Sequence, residues 1–328
     1  MTSPGPYQDH IGLWQNELAA WMPDEFFDAH VHLSPAEVVG PISAERRKEG
    51  LTAFTRFTWE EAMAWYGDLF GGKKIAGLIA FPLPMREVRL EAANEYIIAL
   101  MRRDPRVKGF ILADPKDAKK TIRQFDEALK AGARFSGVKP YYDLLGKSNY
   151  VTTMPEFIPE ELLEFMNGRR LVMMLHTSGI GVGDPENQAY LKSVAARYPR
   201  IKIILAHMGR YLKLEQFLAF MDSDVMDRCP TIFLESSYTG RPEIYRKVLA
   251  RKDLWPRLLF GTDLPWGLWM GHEGRKAEDG QKPTWNAYHT VKAIKDAVEE
   301  LHLEDGAAEQ LKKDIFLRNA QTLFESTT

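Results

Sequence analysis

Eight short runs of apolar and β-branched residues recur along this chain, most of them followed by a longer stretch with helical periodicity. The runs lie at residues 26–33, 74–82, 107–114, 134–140, 170–177, 201–208, 231–237 and 257–263. Runs without polar alternation predict strands buried on both faces, as in a parallel sheet. Amphipathic helical stretches follow the second, third, fifth, sixth, seventh and eighth runs, and Gly132 suits the C-terminus of the helix after the third. Sustained strand–helix alternation predicts an α/β fold, a closed (β/α)8 TIM barrel, with a doubly wound open sheet as the alternative.

The first connection breaks the rhythm. Residues 34–73 are too long for a simple loop and carry helical patches of their own, so they read as an insertion after strand 1 that caps the barrel mouth. Trp59 and Trp65 within it suggest a lid or, equally, a dimer contact. Residues 306–325 read as a C-terminal helical extension. With no Pro/Ser-rich linker, residues 1–328 are expected to form a single domain; 45% hydrophobic content is enough for its core.

A formal net charge of −2 gives no basic field for nucleic acid. The lone cysteine, Cys229, has no partner for an internal disulfide, which fits a reducing compartment. No apolar run approaches the ~18 residues a membrane helix needs. The start, MTSPGPYQDH, lacks the pattern of a secretory signal, so a cytoplasmic protein is expected.

Four of the eight histidines, His30, His32, His176 and His207, fall at the C-terminal ends of predicted strands, and Asp263 ends the eighth. A barrel builds its active site at that face. Residues i and i+2 of a strand project to one side, roughly 7 Å apart along it, so His30 and His32 can grip one ion. Asp28 is expected one step deeper on the same face. Imidazoles with a carboxylate suit zinc, manganese or iron. The other histidines, His10, His272, His289 and His302, fall in predicted loops or helices and read as surface or packing residues, with His272 near the rim.

The stretches FDAHVHL, GVKP, MMLHTS, ILAHMGR, LLFGTDLPWG and IFLRNAQTLF occur in that order across nearly the whole chain. This set resembles the amidohydrolase superfamily, specifically the amidohydrolase-2 branch related to aminocarboxymuconate semialdehyde decarboxylase. The resemblance implies that His30, His32 and His176 are metal ligands. It makes Asp263 a ligand or near neighbour of the metal that takes a proton from activated water. It makes His207 the catalytic histidine that polarises substrate or donates a proton. One divalent ion is implied, zinc ahead of manganese or iron; a binuclear site bridged by a carboxylated Lys139 is the alternative. Relatives of this branch often pair, so a homodimer is a candidate assembly.

Lys139, Tyr141, Tyr142, Arg210, Arg241, Trp266 and Trp269 fall near the expected mouth, and arginines among aromatics suit a small planar molecule bearing a carboxylate. Lys139, Tyr141, Arg210 and Trp266 are the substrate-binding candidates, and Asp28 and Glu235 the candidates to orient the imidazoles. Metal-dependent hydrolysis is the leading reading, and non-oxidative decarboxylation of an aromatic or unsaturated acid the second. A barrel that has lost catalysis and only binds is the third, and metal analysis separates it from the others.

Overall fold

The computed structural model describes residues 10–269 and 285–325. All eight strands form: β1 (Glu25–His32), β2 (Lys74–Phe81), β3 (Val107–Leu112), β4 (Gly137–Lys139), β5 (Val172–Leu175), β6 (Lys202–Leu205), β7 (Ile232–Glu235) and β8 (Leu258–Leu259). Neighbours pair in sequence order, and every pairing is parallel.

β8 has only two residues in its ladder with β7, where the sequence predicts seven. Beyond Leu259 the chain turns its hydrogen bonds towards β1. Ala29 N donates to Phe260 O at 2.9 Å, Asp263 N to His30 O at 2.9 Å and His32 N to Leu264 O at 2.8 Å. These bonds bring the last strand to the first, so the architecture is the (β/α)8 barrel and not the open sheet.

Helices follow the strands from β2 to β8 in turn, at Leu90–Arg103, Ala118–Lys130, Glu160–Arg169, Pro185–Arg197, Leu214–Asp222, Pro242–Leu249 and Asn286–Glu299. Local chemistry sets several ends. Asp117 Oδ1 accepts from Lys120 N at 2.9 Å, and Gly132 turns the chain after Lys130 with φ 81°. The helix Glu160–Arg169 was not anticipated between the fourth and fifth strands. Its apolar set, chiefly Leu162, Leu163 and Met166, is too short to stand out as a periodic pattern.

Phe27, Ile79, Phe110, Met174, Ile204 and Leu259 form a layer of the barrel interior. Ala320, Leu323 and Phe324 of the C-terminal extension complete this layer, with Phe324 stacked on Phe27 at 6.1 Å between ring centroids. A second and larger apolar layer joins the strands to the helices. The interior is therefore plugged, and the cavity opens at the C-terminal ends of the strands.

The insertion divides its work. Its helix Trp59–Leu69 is not a lid. Trp59 lies beneath the guanidinium groups of Arg103 and Arg106, each 5.6 Å from its ring, and Trp65 packs edge-on against Trp285 at 5.7 Å. The part that reaches the mouth is Gly50–Leu51. No helix among the described residues is long and apolar enough to cross a membrane.

Candidate metal centre and cavity

At the C-terminal mouth, β1, the turn after β8 and the strand ends between them enclose a cavity of about 690 Å³. His30, His32, His176, His207 and Asp263 all line it, as do Lys139, Tyr141, Arg210 and Trp266. Phe81, at the top of the interior layer, meets the rings of His30 and His32 edge-on at 5.2 and 4.6 Å.

The tightest convergence joins β1 to the turn after β8. His30 Nε2 and His32 Nε2 stand 3.2 Å apart, and Asp263 Oδ1 lies 3.3 and 3.2 Å from them. The far side of each ring faces an acceptor. His30 Nδ1–H donates to Glu235 Oε2 at 2.9 Å, and His32 Nδ1–H donates to Pro82 O at 3.2 Å. These partners set the tautomers, so both Nε2 lone pairs point at each other and at a carboxylate oxygen. Burial lowers the basicity of both rings, that of His30 most strongly. Two neutral imidazole lone pairs and a carboxylate directed at one point repel unless a cation sits between them. The donor set therefore fits a divalent metal ion.

A second grouping, His30, His207 and Glu235, also has its potential ligand atoms close together. It fits an ion less well, because Glu235 Oε2 is already surrounded by donors. His30 Nδ1 reaches it at 2.9 Å, Ser237 Oγ at 2.7 Å and His207 N at 3.2 Å. Glu235 thus orients the imidazole of His30, as the sequence suggested. Burial pushes its carboxyl up to about 8, against the pull of the donors from Ser237 and His207.

Asp28 departs from expectation. The β1–β2 pairing is irregular between Asp28 and Val31, which breaks the two-residue alternation. Asp28 accepts from Tyr66 Oη at 2.7 Å, Thr262 Oγ1 at 2.5 Å, Thr262 N at 3.0 Å and His30 N at 3.0 Å. It holds the backbone on either side of the centre and orients no imidazole.

His176 and His207 stand at the edge of the convergence. His176 Nδ1–H donates to Thr177 O at 3.0 Å, and its ring centre is 5.6 Å from that of His207. It lines the cavity but lies outside the close His30–His32–Asp263 group. His207 Nδ1 meets Ser237 Oγ at 2.9 Å, while its Nε2 is 4.0 Å from Asp263 Oδ2. Burial pulls His207 down to about 4. His207, Arg210 and Asp263 all have φ between 55° and 56°, a left-handed backbone that is costly for residues with a Cβ. Asp263 N donating to His30 O helps hold that conformation at the centre.

Lys139 is buried, with its ammonium 4.7 Å above the Phe81 ring and 5.5 Å from that of Tyr141. Burial pulls it down to about 7, partly offset by the charges of Asp263 and Glu235. Tyr141 stacks on Tyr142 at 4.5 Å. Arg210 donates to Gly179 O at 2.5 Å. Trp266 sits edge-on to His32 at 4.8 Å, and its Nε1 donates to Gly50 O at 3.0 Å, so it ties the insertion to a candidate ligand. His272 lies outside the described residues.

Two participants escaped the sequence reading. Ser237 links Glu235 to His207, and its only signal is its place two residues after Glu235 in a serine pair. Gly261 makes room: a Cβ there would overlap Glu235 Oε1 and stand 3.0 Å from His30 Cβ.

A closed (β/α)8 barrel with a metal-grade cluster of imidazoles and a carboxylate at its C-terminal mouth is the frame of a metal-dependent enzyme. The amidohydrolase family profile (Amidohydro_2) matches residues 27–325, and the chain belongs to that family of enzymes. Among solved structures, it is similar to an amidohydrolase 2 from Bifidobacterium longum subsp. infantis, at 16% identity and TM-score 0.52, covering 92% of this chain and 99% of that one. It is also similar to 2,6-dihydroxybenzoate decarboxylase from Rhizobium, at 15% identity and TM-score 0.53, covering 94% and 100%. A third is a dihydroxybenzoic acid decarboxylase from Polaromonas sp. JS666 with bound manganese and the inhibitor 2-nitroresorcinol, at 14% identity and TM-score 0.55, covering 93% and 98%. At these identities the likeness concerns the fold. A comparison with curated proteins gave no match.

Proposed function

We propose that this protein is a metal-dependent hydrolase of a small, planar, carboxylate-bearing substrate. The observation that carries this reading is the meeting of His30 Nε2, His32 Nε2 and Asp263 Oδ1 within 3.3 Å of one another beneath an open cavity. These three residues, with His176 as a further ligand from the cavity wall, would hold the ion. Zinc is the ion we favour for an imidazole-rich set, ahead of manganese and iron. A divalent cation there would supply Lewis acidity to a substrate carbonyl and make nearby water more acidic.

The chain's own groups then handle the protons. Asp263 Oδ2 faces His207 and is placed to take a proton from the attacking water. His207 presents Nε2 towards Asp263, because its Nδ1 is engaged with Ser237. The proton passes from Asp263 Oδ2 to His207 Nε2 and on to the leaving oxygen or nitrogen as the carbon–heteroatom bond breaks. Lys139 and Arg210 offer cations to the substrate carboxylate, and the Tyr141–Tyr142 pair offers a flat wall.

Decarboxylation of an aryl acid is the second reading. The buried cation of Lys139 over an aromatic floor favours it, since it would hold a ring-bound carboxylate close to the centre. Two of the structurally similar proteins are aryl-acid decarboxylases by name. A panel of lactones and amides assayed for hydrolysis, beside aryl acids assayed for CO₂ release, decides between the two. Hydrolysis of a panel member that depends on added metal supports the first; CO₂ release without any hydrolysis replaces it with the second.

A further inference from the structure

The cavity changes character from floor to rim. Its floor holds Lys139 and the histidines, whereas Leu51, Tyr150, Leu212 and Leu214 stand among its lining residues further along the loops. Among the described residues, four large hydrophobic side chains are exposed: Leu129, Tyr150, Val151 and Leu212. Leu129 is on the helix Ala118–Lys130, but Tyr150 and Leu212 line this one mouth from two loops, and Val151 directly follows Tyr150 in one of them. Their exposures are 63% for Tyr150, 72% for Val151 and 48% for Leu212. Single exposed apolar residues are ordinary; a group at the entrance of a cavity marks a contact surface.

The group is also held in place. Arg210 lies 5.2 Å above the Tyr150 ring and is itself fixed to Gly179 O. Gly179 N also donates to Asn149 O at 3.0 Å, which ties the loop carrying Tyr150 to the turn that holds Arg210. Tyr150 is thus an aromatic face with a cation behind it and solvent before it.

We propose that the substrate is amphipathic, with its carboxylate at the Lys139 end of the cavity and an apolar arm running out over Tyr150, Val151 and Leu212. The proposal rests on the carboxylate reading given under Proposed function. A substrate arm suits the surface better than a protein partner. Three side chains fall well short of the roughly 800 Å² per partner that a stable protein interface buries.

The test is calorimetric binding of benzoate and its 4-methyl, 4-propyl and 4-pentyl derivatives to the metal-loaded protein. Affinity should rise about two- to fourfold per methylene, as expected for partial to full burial of each group. In the Leu212→Ser, Val151→Ser double variant this slope should flatten; both positions are exposed, so the fold is not at risk. A flat slope in the unaltered protein, with benzoate still bound, overturns the amphipathic substrate and leaves the carboxylate reading standing. Failure of every benzoate to bind removes both. A variant that keeps its slope but changes from dimer to monomer in solution assigns the surface to a second copy of the chain and overturns the proposal.

Discussion

The Glu235 carboxylate lies 2.9 Å from His30 Nδ1, and neither side chain is open to solvent. Through that contact β7 sets the ring orientation of a residue on β1, on the far side of the barrel's numbering but adjacent to it across the mouth. Partners of this kind typically change metal affinity 10- to 100-fold. Glu235→Gln should weaken metal binding by about that factor with the fold intact. Titration against a chelator of known affinity, alongside far-ultraviolet circular dichroism, checks it; unchanged metal affinity would separate Glu235 from the centre.

The two oxygens of Asp263 meet different groups: Oδ1 faces the imidazoles and Oδ2 faces His207. Asp263→Asn should reduce turnover by about 10²-fold or more, since under the proposed function it removes the proton acceptor, while leaving the protein folded. His30→Ala combined with His32→Ala should strip the metal, as read by elemental analysis. A near-normal rate in Asp263→Asn would take this residue out of the chemistry.

Gly261→Ala places a methyl group where Glu235 Oε1 sits and against His30 Cβ. Both neighbours are buried and neither can swing into solvent. Overpacking of this sort costs about 1–3 kcal/mol. Chemical denaturation should show that loss, and metal affinity should fall with it. A variant as stable as the parent would mean that the contact relaxes freely.

Arg46 clamps the insertion. Its guanidinium donates to Glu87 Oε1 at 2.8 Å, Glu87 Oε2 at 3.0 Å and Asp143 Oδ2 at 2.7 Å, joining the connections after β1, β2 and β4. Asp143 keeps Arg86 Nη2 at 2.7 Å if Arg46 is lost. Arg46→Ala should therefore destabilise by about 1–3 kcal/mol rather than unfold the protein. It should also speed hydrogen exchange across residues 46–52, beside the mouth. Exchange there at the parental rate would show that the Trp266–Gly50 bond alone holds the segment.

Lys139 carries a pH signature. Burial pulls it down from its ordinary value near 10.5 to about 7 in the folded protein. Between those values the unfolded chain binds the proton and the folded chain does not, so this group makes stability rise with pH. Metal-free protein should show that rise from about pH 8 to pH 10, above the opposing titration of Glu235 near 8, and Lys139→Met should flatten it. Denaturation midpoints at intervals of one pH unit are the measurement, and an equal rise in both proteins would exclude Lys139 as the cause.

How much of this was legible in the residues differs from element to element. Strand existence was plain, because β-branched apolar runs have no other stable setting between helices of this length. The extent of β8 was not, because Phe260 to Leu264 exchange hydrogen bonds with β1, more than two hundred residues away. His30, His32 and Asp263 were found from their places at strand ends. Asp28 was misplaced because strict alternation assumes a regular strand, and the irregularity between Asp28 and Val31 becomes visible only against β2.

The order of the residues alone determined that this chain alternates strands and helices, and that imidazoles and a carboxylate fall at the strand ends from which a barrel builds its site. Only the tertiary structure decided which of their atoms meet, that Glu235 and Ser237 stand behind them, and that the mouth is apolar on one side. The reason is that pattern is a property of neighbours along the chain. Tautomer, burial and repulsion between converging lone pairs depend on atoms brought together by closing the barrel.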